Sequence, residues 1–129
     1  MNIKNIKVIN ASVINNNKGD ILKFVNKNDK FFKGFGEIYF SEIKKNKIKG
    51  WNYHKKNHCL FSVPFGKVIF YFKKKNKTKK VTIGKDKYQL ILLPPKIWFS
   101  FTSLTKLSIV ANIIKTPHDN KETLKRPID

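Results

Sequence analysis

Apolar and polar residues alternate with a period of two along almost the whole of this 129-residue chain. The alternation indicates strands with one buried face, and many of the apolar positions carry β-branched or aromatic residues, which favour strands. No segment carries a helical stripe of useful length. Ten strands are therefore predicted, within Ile3–Ile9, Ile21–Val25, Glu37–Phe40, Ile48–His54, His58–Val63, Val68–Phe72, Lys80–Ile83, Gln89–Leu93, Trp98–Thr102 and Leu107–Ile114.

Ten short strands in a chain of this length need closure or two packed sheets, because one face must be buried and the sheet edges must be protected. Turn signals recur about every 8–12 residues, a spacing typical of sandwiches and barrels. We therefore predict one all-β domain over residues 1–129, a jelly-roll or cupin barrel with a ligand-sized cavity at one mouth. Pro64–Lys67 indicates a hairpin-like turn, and residues 119–129 are expected to form a tail with at most one helical turn.

The formal charge of +20 is carried by lysine, because Arg126 is the sole arginine among 28 basic residues. Arginine is the residue favoured for bidentate readout of bases and phosphates. The lysines crowd into segments predicted as turns, namely Lys44–Lys45, Lys55–Lys56, Lys73–Lys75 and Lys77–Lys80. We interpret them as solvated hairpin tips and predict no specific nucleic-acid partner, although non-specific attraction to nucleic acid at low salt is expected.

The chain carries no sign of export or of a membrane partner. Cys59 is the only cysteine, so no disulfide within the chain is possible. The longest apolar stretches, such as Leu90–Leu93 and Ile97–Phe101, fall far short of the ~20 residues of a membrane-spanning helix. Residues 1–7 lack the apolar region of an export signal. A cytoplasmic protein is predicted.

The segment Ile48–Lys56, with the sequence IKGWNYHKK, carries the clearest resemblance to a known family. It resembles a motif of the RmlC-like cupins, the superfamily of the dTDP-4-dehydrorhamnose 3,5-epimerases and their sister group, the dTDP-sugar 3,4-ketoisomerases. In that superfamily a strand carries Arg-Gly, an aromatic residue or Leu, and then a His. The ketoisomerases add a second His two positions later. Lys49 stands at the Arg position, Asn52 at the first His and His54 at the second.

Further segments resemble the same superfamily, namely Lys18–Lys23, Glu37–Ser41, Leu60–Gly66 and Leu93–Trp98. The resemblance therefore extends over nearly the whole chain. It implies a nucleotide-sugar epimerase of the 3,5-epimerase type, which takes a proton beside the ketone of a dTDP-linked 4-keto-6-deoxy hexose. It also implies a cofactor-free enzyme of polysaccharide biosynthesis that pairs as a homodimer.

Three alternatives stay open. The enzyme can be a 3,4-ketoisomerase, which uses the same enediol chemistry but moves the proton between carbons. It can be a non-catalytic sugar-binding cupin, because Asn52 stands where the 3,5-epimerases place their catalytic base. A basic module that binds nucleic acid through its lysines is the third alternative.

The candidate catalytic residues are His54 and Tyr39. On a regular strand Gly50, Asn52 and His54 share one face, whereas Lys49 lies on the other. If the face of His54 points into the barrel, its imidazole can serve as the general base, with Gly50 leaving room for a sugar. Tyr39, in the preceding strand, is the candidate acid or sugar contact.

The candidate substrate-binding residues are Asn52, Trp98 and three lysines. Asn52 can hydrogen-bond the keto oxygen, and Trp98 can stack on a sugar or base. The three lysines are candidate point charges for the diphosphate, namely Lys18, Lys23 and Lys49. His58 and His118 are expected at the surface.

No metal site is predicted. A metal-binding cupin needs a His-x-His pair, a nearby Glu and a distal His. Asn52 breaks the pair, no Glu follows within the motif, and Phe99 stands where the distal His would be expected.

Overall fold

The computed structural model describes residues 3–128, which form twelve strands and no helix. Consequently no helix among these residues is long and apolar enough to cross a membrane. The strands are β1 (Lys7–Asn10), β2 (Val13–Ile14), β3 (Ile21–Leu22), β4 (Glu37–Lys44), β5 (Ile48–His54), β6 (Cys59–Phe65), β7 (Lys67–Lys74), β8 (Lys77–Gly84), β9 (Gln89–Leu93), β10 (Trp98–Ser103), β11 (Leu107–Ile114) and β12 (Thr123–Lys125).

Two five-stranded antiparallel sheets form the body of the fold. The first has the strand order β1-β9-β6-β11-β4 and the second the order β12-β5-β10-β7-β8. Strands β2 and β3 form a separate two-stranded ribbon. The prediction of an all-β barrel of the cupin type is confirmed, because the alternating residues bury one face of each sheet against the other.

Phenylalanine side chains fill much of the space between the two sheets. Phe61 lies 5.0 Å from Phe70 and 5.3 Å from Phe99, measured between ring centroids. Phe70 in turn lies 5.5 Å from Phe101. Alternate residues of β7 and β10 project inward, which places these rings in one layer. Offset and edge-to-face ring contacts of this kind stabilise the core beyond the burial of apolar area.

A second apolar cluster covers the outer face of the first sheet. Its buried members include Leu90 and Leu92 of β9 and Leu60 of β6. The segment after β3 packs on them through residues that include Phe24 and Phe31. Strand β9 is therefore covered on both faces, which explains its nearly continuous apolar sequence.

The tail prediction was wrong, because Thr123–Lys125 forms β12 and pairs with β5. The register places Thr123 opposite His54 and Leu124 opposite Tyr53. Three residues are too few for an alternating pattern, so the sequence gives little sign of this strand. The free backbone groups at the edge of β5 provide the reason for it to form.

The turn at Pro64–Lys67 does not close a hairpin. Strand β6 lies in the first sheet and β7 in the second, so the chain crosses between the sheets at Gly66. Gly66 has a φ of +87°, and a Cβ there would collide with the Ser108 hydroxyl. The crossing requires glycine for both reasons.

The segment Lys77–Lys80, whose lysines were predicted to lie in a turn, is instead part of an edge strand. Lys77–Lys80 begins β8, the outermost strand of the second sheet. Exposed lysines on an edge strand discourage pairing with another chain, because their charges would be brought together.

Truncation of a buried ring should destabilise the fold far more than truncation of an exposed one. Phe70→Ala should lower the free energy of unfolding by about 3–5 kcal/mol, because Phe70 is fully buried. Phe65→Ala, at a ring that is 55% exposed, should change it by no more than about 0.5 kcal/mol. Denaturant unfolding measures both. Equal effects of the two substitutions would contradict the placement of the core.

Candidate active site

A cavity of about 230 Å³ lies between the two sheets, near their β4 and β12–β5 edges. The phenylalanine layer forms part of its wall, and polar side chains from both sheets face it. The lining residues are Tyr39, Ser41, Lys49, Asn52, His54, Phe61, Phe99, Phe101, Val110, Asn112, His118, Thr123 and Lys125.

His54, the last residue of β5, lies on the wall formed by the second sheet. Its side chain lines the cavity, and the residue as a whole is 5% exposed. The imidazole stacks nearly parallel to Phe99, at 6.1 Å between centroids and 7° between planes. The ring is therefore held in one orientation by the strand beneath it and by the neighbouring aromatic ring.

Glu122 provides the partner of His54. Nδ1 of His54 and Oε1 of Glu122 are 2.7 Å apart. The other carboxylate oxygen accepts hydrogen bonds from the backbone N–H groups of Lys56 and Asn57, at 2.8 and 3.0 Å. This arrangement joins the turn after β5 to the residue just before β12.

Glu122 is an ionised acceptor in this arrangement. Burial raises the pKa of its carboxyl, but the N–H groups of Lys56 and Asn57 and the contact with His54 outweigh burial, so that the net pKa is lowered. The carboxylate therefore accepts a hydrogen bond from the Nδ1–H group of His54. Nε2 remains the imidazole nitrogen without a partner among residues 3–128.

The sequence did not point to Glu122. It lies 68 positions after His54, in a segment predicted to be a tail. The one sequence feature that could have drawn attention to Glu122 is that acidic residues are rare, because the chain has only eight of them. A buried carboxylate is expected to have a partner, but which partner depends on how β12 pairs.

Tyr39 and Asn112 line the same cavity from the first sheet. They are directly opposite each other on β4 and β11. Nδ2 of Asn112 donates a hydrogen bond to the Tyr39 oxygen at 3.0 Å. Burial raises the pKa of Tyr39 to about 12, so its phenol is neutral at physiological pH.

Cys59 lies behind this pair and is not poised as a nucleophile. It is fully buried, and burial raises the pKa of its thiol to about 12. A thiol, unlike a thiolate, is a poor nucleophile.

Lys49 faces the cavity because β5 is bulged. Asn52 pairs with Phe99 and Gly50 with Ser100, so Trp51 is an extra residue. The Trp51 backbone instead exchanges two hydrogen bonds with Arg126, at 2.9 and 3.0 Å. The prediction that Lys49 lies on the opposite face from Asn52 and His54 was therefore wrong, since a bulge reverses the alternation.

Gly50 makes room for a neighbouring strand and not for a sugar, which corrects the sequence prediction. Its φ is +129°, and a Cβ there would lie 2.7 Å from the Ser100 Cβ and 2.8 Å from the Phe99 carbonyl oxygen. Gly50 does not line the cavity. Its role is to let β10 approach the bulge.

Three predicted substrate-binding residues do not reach the cavity in this chain. Lys18 lies in the turn between β2 and β3, and Lys23 follows β3; both are exposed. Trp98 projects from the outer face of the second sheet. Its ring lies 5.0 Å from Tyr53 and 4.4 Å from the Arg126 guanidinium carbon.

Other polar groups stand at the cavity in their place. Lys125 and Thr123 of β12 line it, as does His118 from the segment after β11. His118 is exposed and its backbone N–H donates to a carboxylate oxygen of Glu37 at 2.8 Å. The cations at this cavity are therefore Lys49 and Lys125, and His58 lies elsewhere.

The site combines a carboxylate-held imidazole on one wall with a neutral phenol on the other. Nε2 of His54 can accept a proton from carbon, and the Tyr39 hydroxyl can donate one to oxygen. No three His, Cys, Asp or Glu side chains of residues 3–128 gather as a possible metal site. The fold and the site together define a cupin-type barrel equipped for acid–base chemistry.

The chain belongs to the FdtA family, whose model, described as WxcM-like, C-terminal, matches residues 4–126. A search of curated proteins found no significant match.

Solved structures share the fold. A dTDP sugar isomerase from Desulfovibrio desulfuricans G20 is 28% identical, with a TM-score of 0.93 over 98% of this chain and 87% of that chain. QdtA, a sugar 3,4-ketoisomerase from Thermoanaerobacterium thermosaccharolyticum solved with TDP, is 18% identical, with a TM-score of 0.83 over 96% and 90%. RmlC from Legionella pneumophila, a dTDP-6-deoxy-D-glucose-3,5-epimerase, is 14% identical, with a TM-score of 0.82 over 97% and 75%. The predicted superfamily is confirmed, and these neighbours are enzymes, as predicted for this chain.

Removal of the Glu122 charge should destabilise the protein in a pH-dependent way. A lowered pKa in the folded state contributes stability above the ordinary pKa of glutamate, and this stability is lost as the pH falls through the folded value. Glu122→Gln should therefore lower the free energy of unfolding by about 1–3 kcal/mol near neutral pH. The difference from the unmodified protein should shrink in acid.

Denaturant unfolding at a series of pH values measures this difference. Glu42→Gln is the matched control, because Glu42 is exposed on β4 and its carboxylate has no hydrogen bond within residues 3–128. A Glu122→Gln effect of the same size at every pH would show that the carboxylate charge is not responsible.

Proposed function

We propose that this protein is a cofactor-free isomerase of a dTDP-linked 4-keto-6-deoxy hexose, of the 3,4-ketoisomerase type. The observation that carries the proposal is the His54 imidazole, which is held by Glu122 and faces the same cavity as the neutral Tyr39 phenol. The family assignment supports it, as do the neighbours described as a dTDP sugar isomerase and as a sugar 3,4-ketoisomerase in complex with TDP.

The 3,5-epimerase activity implied by the sequence resemblance is the alternative. The chain covers 90% of QdtA but 75% of RmlC from Legionella, which favours the ketoisomerase. Both reactions begin with removal of a proton from carbon beside the ketone, so the same residues serve either.

In the proposed reaction, Nε2 of His54 takes the proton from the carbon that bears the hydroxyl next to the ketone. The Tyr39 hydroxyl donates to the ketone oxygen, which becomes a hydroxyl of the enediol. The neighbouring hydroxyl then loses its proton to Tyr39, and the imidazolium returns a proton to the former ketone carbon. The ketone has moved by one carbon, and both residues end in their starting states.

Glu122 supports this exchange by holding His54 in place. Its hydrogen bond to Nδ1 leaves Nε2 as the accepting nitrogen. The carboxylate also offsets the positive charge that the ring acquires when it takes the proton. The buried, neutral Tyr39 is in the protonated form that a donor needs.

The remaining cavity residues suit the other parts of the substrate. The cavity is slightly smaller than the ~300–1,000 Å³ of typical ligand pockets, which suits the sugar, with the nucleotide outside. Lys49 and Lys125 are proposed to contact the diphosphate as point charges. Asn52 is proposed to hydrogen-bond the sugar.

Hydrogen exchange in heavy water tests the catalytic proposal directly. The protein should incorporate deuterium into a dTDP-linked 4-keto-6-deoxy hexose, and His54→Gln should slow incorporation by at least about 100-fold. His58→Gln is the matched control, because His58 lies outside the cavity, and it should leave the rate unchanged.

Nuclear magnetic resonance of the product separates the alternatives. Migration of the ketone to the adjacent carbon indicates the ketoisomerase, whereas inversion beside an unmoved ketone indicates the epimerase. Binding of the nucleotide sugar without exchange would contradict both and leave a non-catalytic sugar-binding cupin.

We also propose that the protein is a homodimer and acts in the cytoplasm. Ile38 and Phe40 project from the outer face of edge strand β4, where they are 39% and 67% exposed, and the nearby Phe35 is 65% exposed. A chain with a charge of +20 can pair only through a surface of this apolar kind. Export would place the protein apart from intracellular nucleotide sugars.

Sedimentation equilibrium should give twice the mass of one chain. Phe40→Asp should shift the protein to the monomer, because a charge would be buried at the interface. Phe65→Asp, at an exposed ring that lies on β6 and not on β4, should leave the dimer intact. A monomeric unmodified protein at micromolar concentration would disprove the pairing.

A further inference from the structure

The side chain of Asn57 is a buried polar group that the proposed reaction does not use. It lies after β5, is 3% exposed and does not line the cavity. Its Oδ1 accepts hydrogen bonds from the backbone N–H and the hydroxyl of Thr116, at 3.2 and 2.9 Å. Its Nδ2 donates to the Thr116 carbonyl oxygen and to Oε1 of Glu122, both at 3.3 Å. The amide therefore has a partner for each of its hydrogens and lone pairs.

These partners allow one orientation of the Asn57 amide. A backbone N–H can only donate, so the atom that faces the Thr116 N–H is the amide oxygen. A carbonyl and an ionised carboxylate can only accept, so the atom that faces them is the amide nitrogen. The donor that Asn57 presents to Glu122 is therefore fixed by backbone groups whose hydrogen-bonding roles are not interchangeable.

Asn57 holds both oxygens of the Glu122 carboxylate. Its backbone N–H donates to Oε2 at 3.0 Å, and its side chain donates to Oε1. Oε1 is also the atom that lies 2.7 Å from Nδ1 of His54. Two donors from one residue, one to each oxygen, oppose rotation of the carboxylate about its terminal bond. Oε1 is thereby kept opposite the imidazole.

The same amide links the two ends of the segment 116–122. Thr116 follows β11, and Glu122 lies just before β12. An unlinked loop samples many conformations, so a buried group that bonds both of its ends restricts where the last residue can lie. That last residue is the partner of His54.

We propose that Asn57 is a positioning residue for the proposed base, because its amide fixes the Glu122 oxygen that sets the tautomer of His54. The inference rests on the proposed function, since it concerns the imidazole to which that function assigns proton transfer. It adds a residue outside the cavity that acts on His54 through Glu122.

The two ends of the amide can be changed separately. Asn57→Asp keeps an oxygen for the N–H and hydroxyl of Thr116, but it places a second oxygen where Nδ2 faces Oε1 of Glu122. Repulsion between the two carboxylates should displace Oε1 from His54. Thr116→Val is the matched control, because it removes the hydroxyl at the other end while the Thr116 backbone still fixes the amide. Both variants alter a buried hydrogen bond, so both should lower the thermal midpoint.

Two measurements distinguish positioning from a structural role. Nitrogen-15 magnetic resonance without substrate should show the Nδ1–H tautomer of His54 in the unmodified protein and in Thr116→Val. Asn57→Asp should show a population of the other tautomer or of the doubly protonated ring. In the deuterium-exchange assay, Asn57→Asp should lower kcat at least about tenfold with KM unchanged, because the base is misplaced but the cavity lining is intact. Thr116→Val should keep kcat within about twofold.

Each outcome bears on a different part of the proposal. Identical His54 spectra in Asn57→Asp and the unmodified protein would overturn the positioning role, as would an equal loss of kcat in both variants. If Asn57→Asp does not fold, the unmodified protein supplies the test: slow exchange of both Asn57 Nδ2 hydrogens supports the role, and fast exchange overturns it. Absence of deuterium incorporation by the unmodified protein would overturn the proposed function, whereas the imidazole spectra would still decide whether Asn57 fixes the tautomer.

Discussion

The hydrogen bond between His54 and Glu122 is the interaction on which the site depends. It forms only because β12 pairs with β5 and brings a carboxylate 68 positions away in sequence to within 2.7 Å of the imidazole. Without that pairing, β5 would have an open edge and His54 would have neither a fixed tautomer nor a counter-charge. One short strand therefore completes both the sheet and the proposed base.

Much of the fold could be predicted from the alternation of apolar and polar residues along the sequence. Ten of the twelve strands were predicted from the sequence, because strands that bury one face carry a period of two. The inward positions of His54 and Asn52 follow from the same rule. The ribbon strand β2 and the closing strand β12, of two and three residues, are too short to show a period. They exist because neighbouring backbone groups need partners.

The parts of the site that the sequence did not reveal depend on contacts between distant segments. Lys49 reaches the cavity through a bulge whose extra residue, Trp51, bonds the backbone of Arg126. Asn112 and Glu122 contribute to the site through hydrogen bonds to Tyr39 and to His54, which lie far away in sequence. Conversely, Lys18 and Lys23 were predicted to contact the diphosphate as point charges, and both lie outside the cavity. On a regular strand the local pattern predicts which way a side chain faces, whereas bulges and strand pairing decide where it lies and what it contacts.

The position of β12 after the other strands also sets the order in which the parts of the site are synthesised. During synthesis the other eleven strands leave the ribosome first, and they already contain the phenylalanine layer, Tyr39 and His54. A nascent chain at that point can collapse around its core, yet its imidazole lacks the carboxylate of Glu122. Glu122 therefore joins His54 only after the strands that form the core have been synthesised.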